Sequence, residues 1–354
     1  MNPLSCALSA RQAGEALIGT AGHYQAYVFI ECPVPWPTKA LDSRHIPLAL
    51  RQYVKAVEAQ RSVRFLCISR GKASAPARTV VLVYERTDRL ALNSFSAGFA
   101  NRYDGQEFQV ESLDQVVTCL ETYWQGNGSG QTIDRQDIFV CTHGMRDKCC
   151  AQFGQPLFIA AKRSVEQGKL PARVWKVSHI GGHRFAPTAI SLPDGRYYGR
   201  LTLAALKAIA TRSGPISQLR SVYRGWGLLP QPLQVLEQQL LLDHGWQWLT
   251  YEAAYRLRIS DEEDGCVRAE LLVRKAQTAP KDLERSFTHS DSPNLTCEGA
   301  LSNSQITLYR AKIIQDAAQA YYVTASCGDT SPSTIVKYAV ADCSRAEYSS
   351  SELP

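Results

Sequence analysis

Apolar residues along the chain fall into two rhythms, unbroken runs and helical spacings, and the same order of them appears twice. YQAYVFIE (24–31) is a nearly continuous apolar run, the pattern of a strand buried on both faces. IPLALRQYVKAVEAQ (46–60) spaces its apolar residues as an amphipathic helix does. VRFLCIS (63–69), RTVVLVYER (78–86) and LALNSF (90–95) predict three strands, and SLDQVVTCLETYW (112–124) a closing helix with Ser112 as N-cap. GNGSG (126–130) reads as a flexible joint. Beyond it, QDIFVC (136–141) predicts a strand, CAQFGQPLFIAAKRSVEQ (150–167) a helix, and ARVWKVS (172–178) another strand. PTAISLP and RYYGRL form a hairpin across Asp194-Gly195, and TLAALKAIATR (202–212) closes the second round.

Both rounds read β-α-β-β-β-α, with a parallel βαβ start and an antiparallel hairpin, which is the thioredoxin-like order. The expected fold is therefore α/β. It has tandem thioredoxin-like units, a degenerate one over 1–125 and a second over 136–230, joined by a linker over 126–135. Register supports a duplication: Cys32 and Cys141 end matching strands 109 residues apart, and Ser69 and Ser178 repeat that interval. After Pro230 the pattern changes. PLQVLEQQLLLDHG is a helix, YRLRIS and VRAELLVRK a hairpin across DEEDG, and ITLYRAKI and AYYVTASC two further strands. Residues 276–304 are polar and turn-rich, and the segment 231–354 reads as a helix plus a small β-rich C-terminal appendage with a disordered end at EYSSSELP.

Composition narrows the function. The 354 residues are 45% apolar and 20% charged, as in an ordinary soluble protein, and the net charge of +6 is scattered rather than blocked. No basic helix or nucleic-acid motif appears, so nucleic acid is not an expected partner. No membrane partner is expected either, since no run approaches the roughly 18 apolar residues of a membrane span. The first residues lack the basic and apolar regions of a secretory signal, which makes a cytoplasmic location the expectation. Eleven cysteines, an odd number, argue against a complete disulfide framework. Most sit in apolar runs as small core residues, including Cys67 and Cys119. Cys32, in CPVPW, reads as structural. Asn127 and Asn294 match glycosylation sequons by chance.

The exceptions cluster. CTHGMRDKCC (141–150) follows a strand and SHIGGHRF (178–185) follows the next one. Asp147 is a plausible N-cap, which puts Cys150 in the first turn of a helix. In a parallel βαβ unit both strand ends and the helix start share one edge, so Cys141, Cys150, His179 and His183 should converge. Gly181 and Gly182 let the backbone curl close to whatever those four hold. Two thiolates and two imidazoles suit tetrahedral Zn²⁺ or an iron–sulfur cluster. The eight-residue spacer is longer than a zinc knuckle and wide enough for a flat diamond core, and the helix N-terminus favours cluster charge; zinc stays open on these grounds. Cys149 would instead give a C-x₇-C spacing. His143 lies in the loop as a third imidazole, more simply a residue that shapes it. Arg184 either stabilises the site or is ion-paired, and Trp175 and Phe185 are expected to shield it.

These residues carry a resemblance. CTHGMRDKCCAQFGQPL and VWKVSHIGGHRFAPTAISLPDGRYYGRL closely resemble the sucrase/ferredoxin-like family over about 137–203, with a weaker match through GEALIGTA and ECPVPWP. The resemblance implies a thioredoxin-like ferredoxin of the bis-histidine branch. It implies a [2Fe–2S] cluster with Cys141 and Cys150 on one iron and His179 and His183 on the other. The family pattern also favours Cys150 over Cys149. The expected function is one-electron, proton-coupled transfer by a carrier rather than a stand-alone enzyme. No pair of carboxylates suits sugar hydrolysis, so it is not a glycosidase. No flavin or nucleotide site is evident, which implies a separate reductase as electron donor and an acceptor the sequence does not identify. The competing class is a zinc-stabilised or thiol-redox thioredoxin-like protein, although the C-x-x-C of a dithiol enzyme is missing.

Overall fold

The computed structural model describes residues 5–71, 78–86, 99–259, 265–276, 306–329 and 331–348. The chain opens with a short helix α1 (Cys6–Gln12), then β1 (Ala26–Glu31), α2 (Leu48–Gln60), β2 (Val63–Ser69), β3 (Thr79–Glu85), β4 (Asp104–Val110) and α3 (Val116–Trp124). The second round is β5 (Gln131–Thr132), β6 (Asp137–Cys141), α4 (Lys148–Glu166), β7 (Arg173–Val177), β8 (Ala189–Leu192), β9 (Arg196–Tyr198), α5 (Leu203–Thr211) and β10 (Tyr223–Trp226). Then come α6 (Gln231–His244), β11 (Tyr251–Ile259), β12 (Cys266–Lys275), β13 (Ile306–Val323) and β14 (Ser333–Tyr348).

Ten strands form one mixed sheet in the order β10-β9-β8-β6-β7-β2-β1-β3-β4-β5. Its two halves repeat one pattern: β1 lies parallel to β2 and antiparallel to β3, as β6 does to β7 and β8. The mostly apolar runs β1 and β6 are interior strands with every residue buried, as a strand covered on both faces requires. The halves join where β2 and β7 pair antiparallel, through Ile68 with Val177 and Ser69 with Lys176. Only their C-terminal residues overlap, so the C-terminal edges of both halves meet at the middle of the sheet. Phe29 of β1 stacks on Phe139 of β6 at 3.9 Å between ring centroids, tying the halves through the core.

The expected strand at 90–95 lies outside the described residues, as do the DEED turn and most of the polar stretch 276–304. The strand next to β3 is instead β4, whose half-buried polar run DGQEFQV gives little apolar signal. The joint after α3 leads into β5, which pairs with β4. Ser112 starts a single 3₁₀ turn before α3 and makes no side-chain cap. Asp147 does cap α4, accepting from the Cys149 N–H at 2.9 Å.

The C-terminal segment forms a separate antiparallel sheet, β11-β12-β13-β14. The stretches expected as two short strands, ITLYRAKI and AYYVTASC, are one 18-residue strand up to Val323 followed by a turn. Its partner β14 pairs with it over most of its length. This sheet is more than an appendage, because its long hairpin reaches back to the first residues of the chain. The Thr324 N–H donates to Ser9 Oγ, and Lys337 Nζ lies 2.9 Å from Glu15. Among the described residues no helix is long and apolar enough to cross a membrane.

Candidate functional site

The loop 142–147 leaves the end of β6 and turns into α4. Gly154 makes this possible, since a Cβ there would lie 2.0 Å from the Cys141 carbonyl oxygen. Helix and strand end thus approach closer than any side chain permits. Cys141 and Cys150 are almost fully buried, while His179 and His183 retain some exposure.

Three of the four expected donors gather. The donor atoms of Cys141, Cys150 and His179 all lie within 4.8 Å of one another, with Cys150 Sγ 3.7 Å from His179 Nδ1. The neighbouring Cys150 thiol, helped by His179, holds Cys141 well below the ordinary thiol range despite its burial. Cys150 is pushed up in return by Cys141 and by desolvation. Thiolate is the form in which cysteine binds metal.

His183 stands beside this group, not inside it. Its ring centroid is 5.3 Å from that of His179. Its Nδ1 faces Asp147 Oδ2 at 3.1 Å and Cys6 Sγ at 3.3 Å. Asp147 also accepts from Ser326 Oγ and the Cys327 N–H, each at 3.2 Å. Burial opposes its ionisation, but the His183 contact and the N–H groups of Cys327 and Cys149 hold its carboxyl well below the usual range. Cys149 points away from Cys141, towards Cys6 and Cys327.

His143 is buried. Burial pushes its pKa down, which favours the neutral ring. Its Nε2 lies 2.7 Å from the Pro37 carbonyl oxygen, which can only accept, so the proton sits on Nε2. Nδ1 then accepts the His179 N–H at 3.2 Å. One imidazole thereby fixes the backbone of a candidate ligand to the CPVPWP segment of the first half.

Both glycines before His183 have positive φ, +80° and +70°. Their role differs from the expected one. A Cβ on Gly182 would fall 2.5 Å from the guanidinium of Arg224, and one on Gly181 would meet nothing. The room is for a buried arginine. Arg224 donates to the Gly181 carbonyl at 3.1 Å and to Thr20 O at 2.6 Å. Burial lowers its pKa to about 10, which leaves it cationic beneath the histidine loop. Of the two readings of Arg184, the structure has the ion pair: it grips buried Glu15 with contacts of 2.8–3.0 Å. Phe185 is fully buried and lies among the cations of Arg184, Arg200, Arg224 and Lys337. Trp175 makes its polar contact at the start of β6, donating to Asp137 at 2.8 Å, away from Cys141.

Residues 17–225, well over half of the chain, match the family described as sucrase/ferredoxin-like. The chain belongs to the sucrase/ferredoxin-like family. A curated relative of this family member, Altered inheritance of mitochondria protein 32 from Debaryomyces hansenii, is 32% identical over 103 residues. That stretch is 27% of this chain and 37% of the relative, so the chain spans little more than a third of that protein. No solved structure matches.

Sequence reasoning missed Cys6, Cys327, Arg224, Glu15 and Lys337. Cys327 carried a signal: it lies in SCGD, a polar turn, where a buried core cysteine has no business. Arg224 and Glu15 gave none, because in one dimension a buried charge held by distant partners, Thr20 and Gly181 for Arg224 and Arg184 and Lys337 for Glu15, looks like a surface charge.

Proposed function

We propose that this sucrase/ferredoxin-like protein holds a [2Fe–2S] cluster through Cys141, Cys150, His179 and His183, and carries single electrons in the cytoplasm between a separate reductase and an acceptor. The supporting observation is the meeting of two buried thiols and an imidazole from β6, α4 and the end of β7. The donor set fits. His183 Nδ1 is engaged by a carboxylate, which leaves Nε2 as the ring nitrogen for metal. A carboxylate on the second nitrogen is the usual arrangement behind a metal-bound histidine. When bound, the cluster supplies a one-electron couple whose potential histidine ligation raises.

The chain's own residues do the rest. His143 orients His179 through its backbone, Asp147 holds a proton at His183 Nδ1, and Arg224 supplies a buried positive charge below the loop. Burial of both cysteines keeps water from their sulfurs, while the partly exposed histidines give electrons and protons a way out. Reduction should then draw a proton to an imidazole, which couples the two.

Iron and acid-labile sulfide analysis of protein purified without air tests the proposal. About two of each per chain, with a red-brown colour, is the expected result, following the composition of such clusters. A colourless protein holding zinc at Cys141 and Cys150 would replace this reading with the zinc-stabilised one.

A further inference from the structure

Three cysteines that this function does not use meet beside it. Cys6 lies in α1, Cys149 in the first turn of α4, and Cys327 in the turn between β13 and β14. Their sulfurs form a triangle with sides of 3.3, 3.2 and 3.4 Å. All three are free thiols. Asp147 is the fourth corner, its oxygens 3.7 and 3.9 Å from Cys6 Sγ, and the four donor atoms lie within 4.8 Å of one another. Cys6, Asp147 and Cys149 are buried and Cys327 is half-buried.

A disulfide would use two of these thiols and strand the third beside a carboxylate. One ion satisfies all four. Zinc bound by thiolates at about 2.3 Å holds its sulfurs roughly 3.8 Å apart, so the triangle needs to open by only about half an ångström. Closed sets of four protein donors are the mark of structural sites, and thiolate-rich ones select zinc over harder ions.

We propose that Cys6, Cys149, Cys327 and Asp147 form a second, structural metal site for a thiolate-seeking ion of the zinc class. It clamps the N-terminal helix and the C-terminal hairpin onto the start of α4. Loading exchanges the three thiol protons for the ion, the protons leave to solvent, and no electron moves. The site also touches its neighbour. Asp147 contacts His183 Nδ1, so an ion here fixes the carboxylate that orients that imidazole. The proposal goes beyond the cluster reading and does not depend on it.

Metal analysis of the full chain, purified without air, separates the two centres. The expected result is about one zinc per chain, lost at least about tenfold in Cys327→Ser while iron stays. Cys141→Ser should show the reverse. Cobalt(II) added to the zinc-stripped wild-type chain should give intense thiolate charge-transfer bands that zinc abolishes, a readout that survives if Cys327→Ser fails to fold. Zinc that leaves with Cys141→Ser but not with Cys327→Ser would overturn the proposal. So would a wild-type chain with neither zinc nor cobalt bands, or one with a disulfide among the three cysteines. An iron-free protein that still binds zinc through Cys327 would sink the cluster and leave this site standing.

Discussion

The two halves of the large sheet share one strand pattern and differ in what their C-terminal edges carry. At the end of β6 stands Cys141, facing Cys150 and His179. At the end of β1 stands Cys32, whose Sγ lies 3.6 Å from Ser43 Oγ and whose neighbouring thiol is Cys67. Where the second half has His179, the first has Arg70, 3.6 Å from Glu31 and stacked over Trp175. The first half is not idle. Its loop after β1 receives the His143 proton at Pro37 and meets Met145 through Thr38. Arg64 donates to the His179 carbonyl at 3.3 Å, and Cys67 and Ser178 bind each other's backbone. The comparison teaches that one scaffold can serve two roles: one edge supplies donors and the facing edge holds them still.

The strongest way to break this contrast is to remove matching cysteines. Cys141→Ser or Cys150→Ser should abolish the visible spectrum and nearly all bound iron, whereas Cys32→Ser should leave iron content unchanged. Loss of half the iron in Cys32→Ser would mean that both halves carry metal. Next comes the charge of the donor set. Changing His179 and His183 together to cysteine adds two negative charges and should lower the midpoint potential. The expected range moves from Rieske-like values of roughly −150 to +300 mV towards about −400 mV. The same variant should flatten the fall of potential with pH, which for one proton per electron is about 59 mV per unit.

The brace between the halves is tested by His143→Ala, which cuts both the Pro37 and the His179 contacts. Cluster affinity should fall by roughly tenfold, read as faster iron loss to a chelator, with the potential nearly unchanged. Asp147→Ala removes a helix cap and the partner of His183, a loss of about 1–3 kcal/mol near neutral pH. The native carboxyl is depressed, so its contribution is present above the unfolded pKa of about 3.9 and is lost as pH falls through the lower folded value. The difference between wild type and variant in urea melts should therefore shrink below about pH 4. The smallest effect separates the glycines. Gly181→Ala should cost about 1 kcal/mol for its positive φ alone. Gly182→Ala should cost roughly 2–3 kcal/mol, since it also presses on buried Arg224.

Much of this was legible in one dimension. The buried strands announced themselves because a strand covered on both faces must be apolar throughout, and the 109-residue register located the same strand ends in both halves. The convergence of Cys141, Cys150 and His179 followed from chain direction in a βαβ unit. What stayed hidden depended on the third dimension. β4 is polar because it is half exposed. The hairpin of β13 and β14 gives no hint that its turn lies beside residues near Cys6. The pairs Arg184–Glu15 and Arg224–Gly181 join segments that no periodicity relates. The glycine pair was noticed, but the group it makes room for is Arg224.

The most direct test of the central claim is pulsed EPR of the reduced protein, read for nitrogen coupling to the unpaired electron. Two directly bound imidazole nitrogens, inequivalent because His183 is backed by Asp147 and His179 is held through His143, are the predicted result. Both should vanish in the double His179→Cys, His183→Cys variant and persist in Cys32→Ser. A signal with a single coupled nitrogen, or with none, would contradict ligation by His179 and His183.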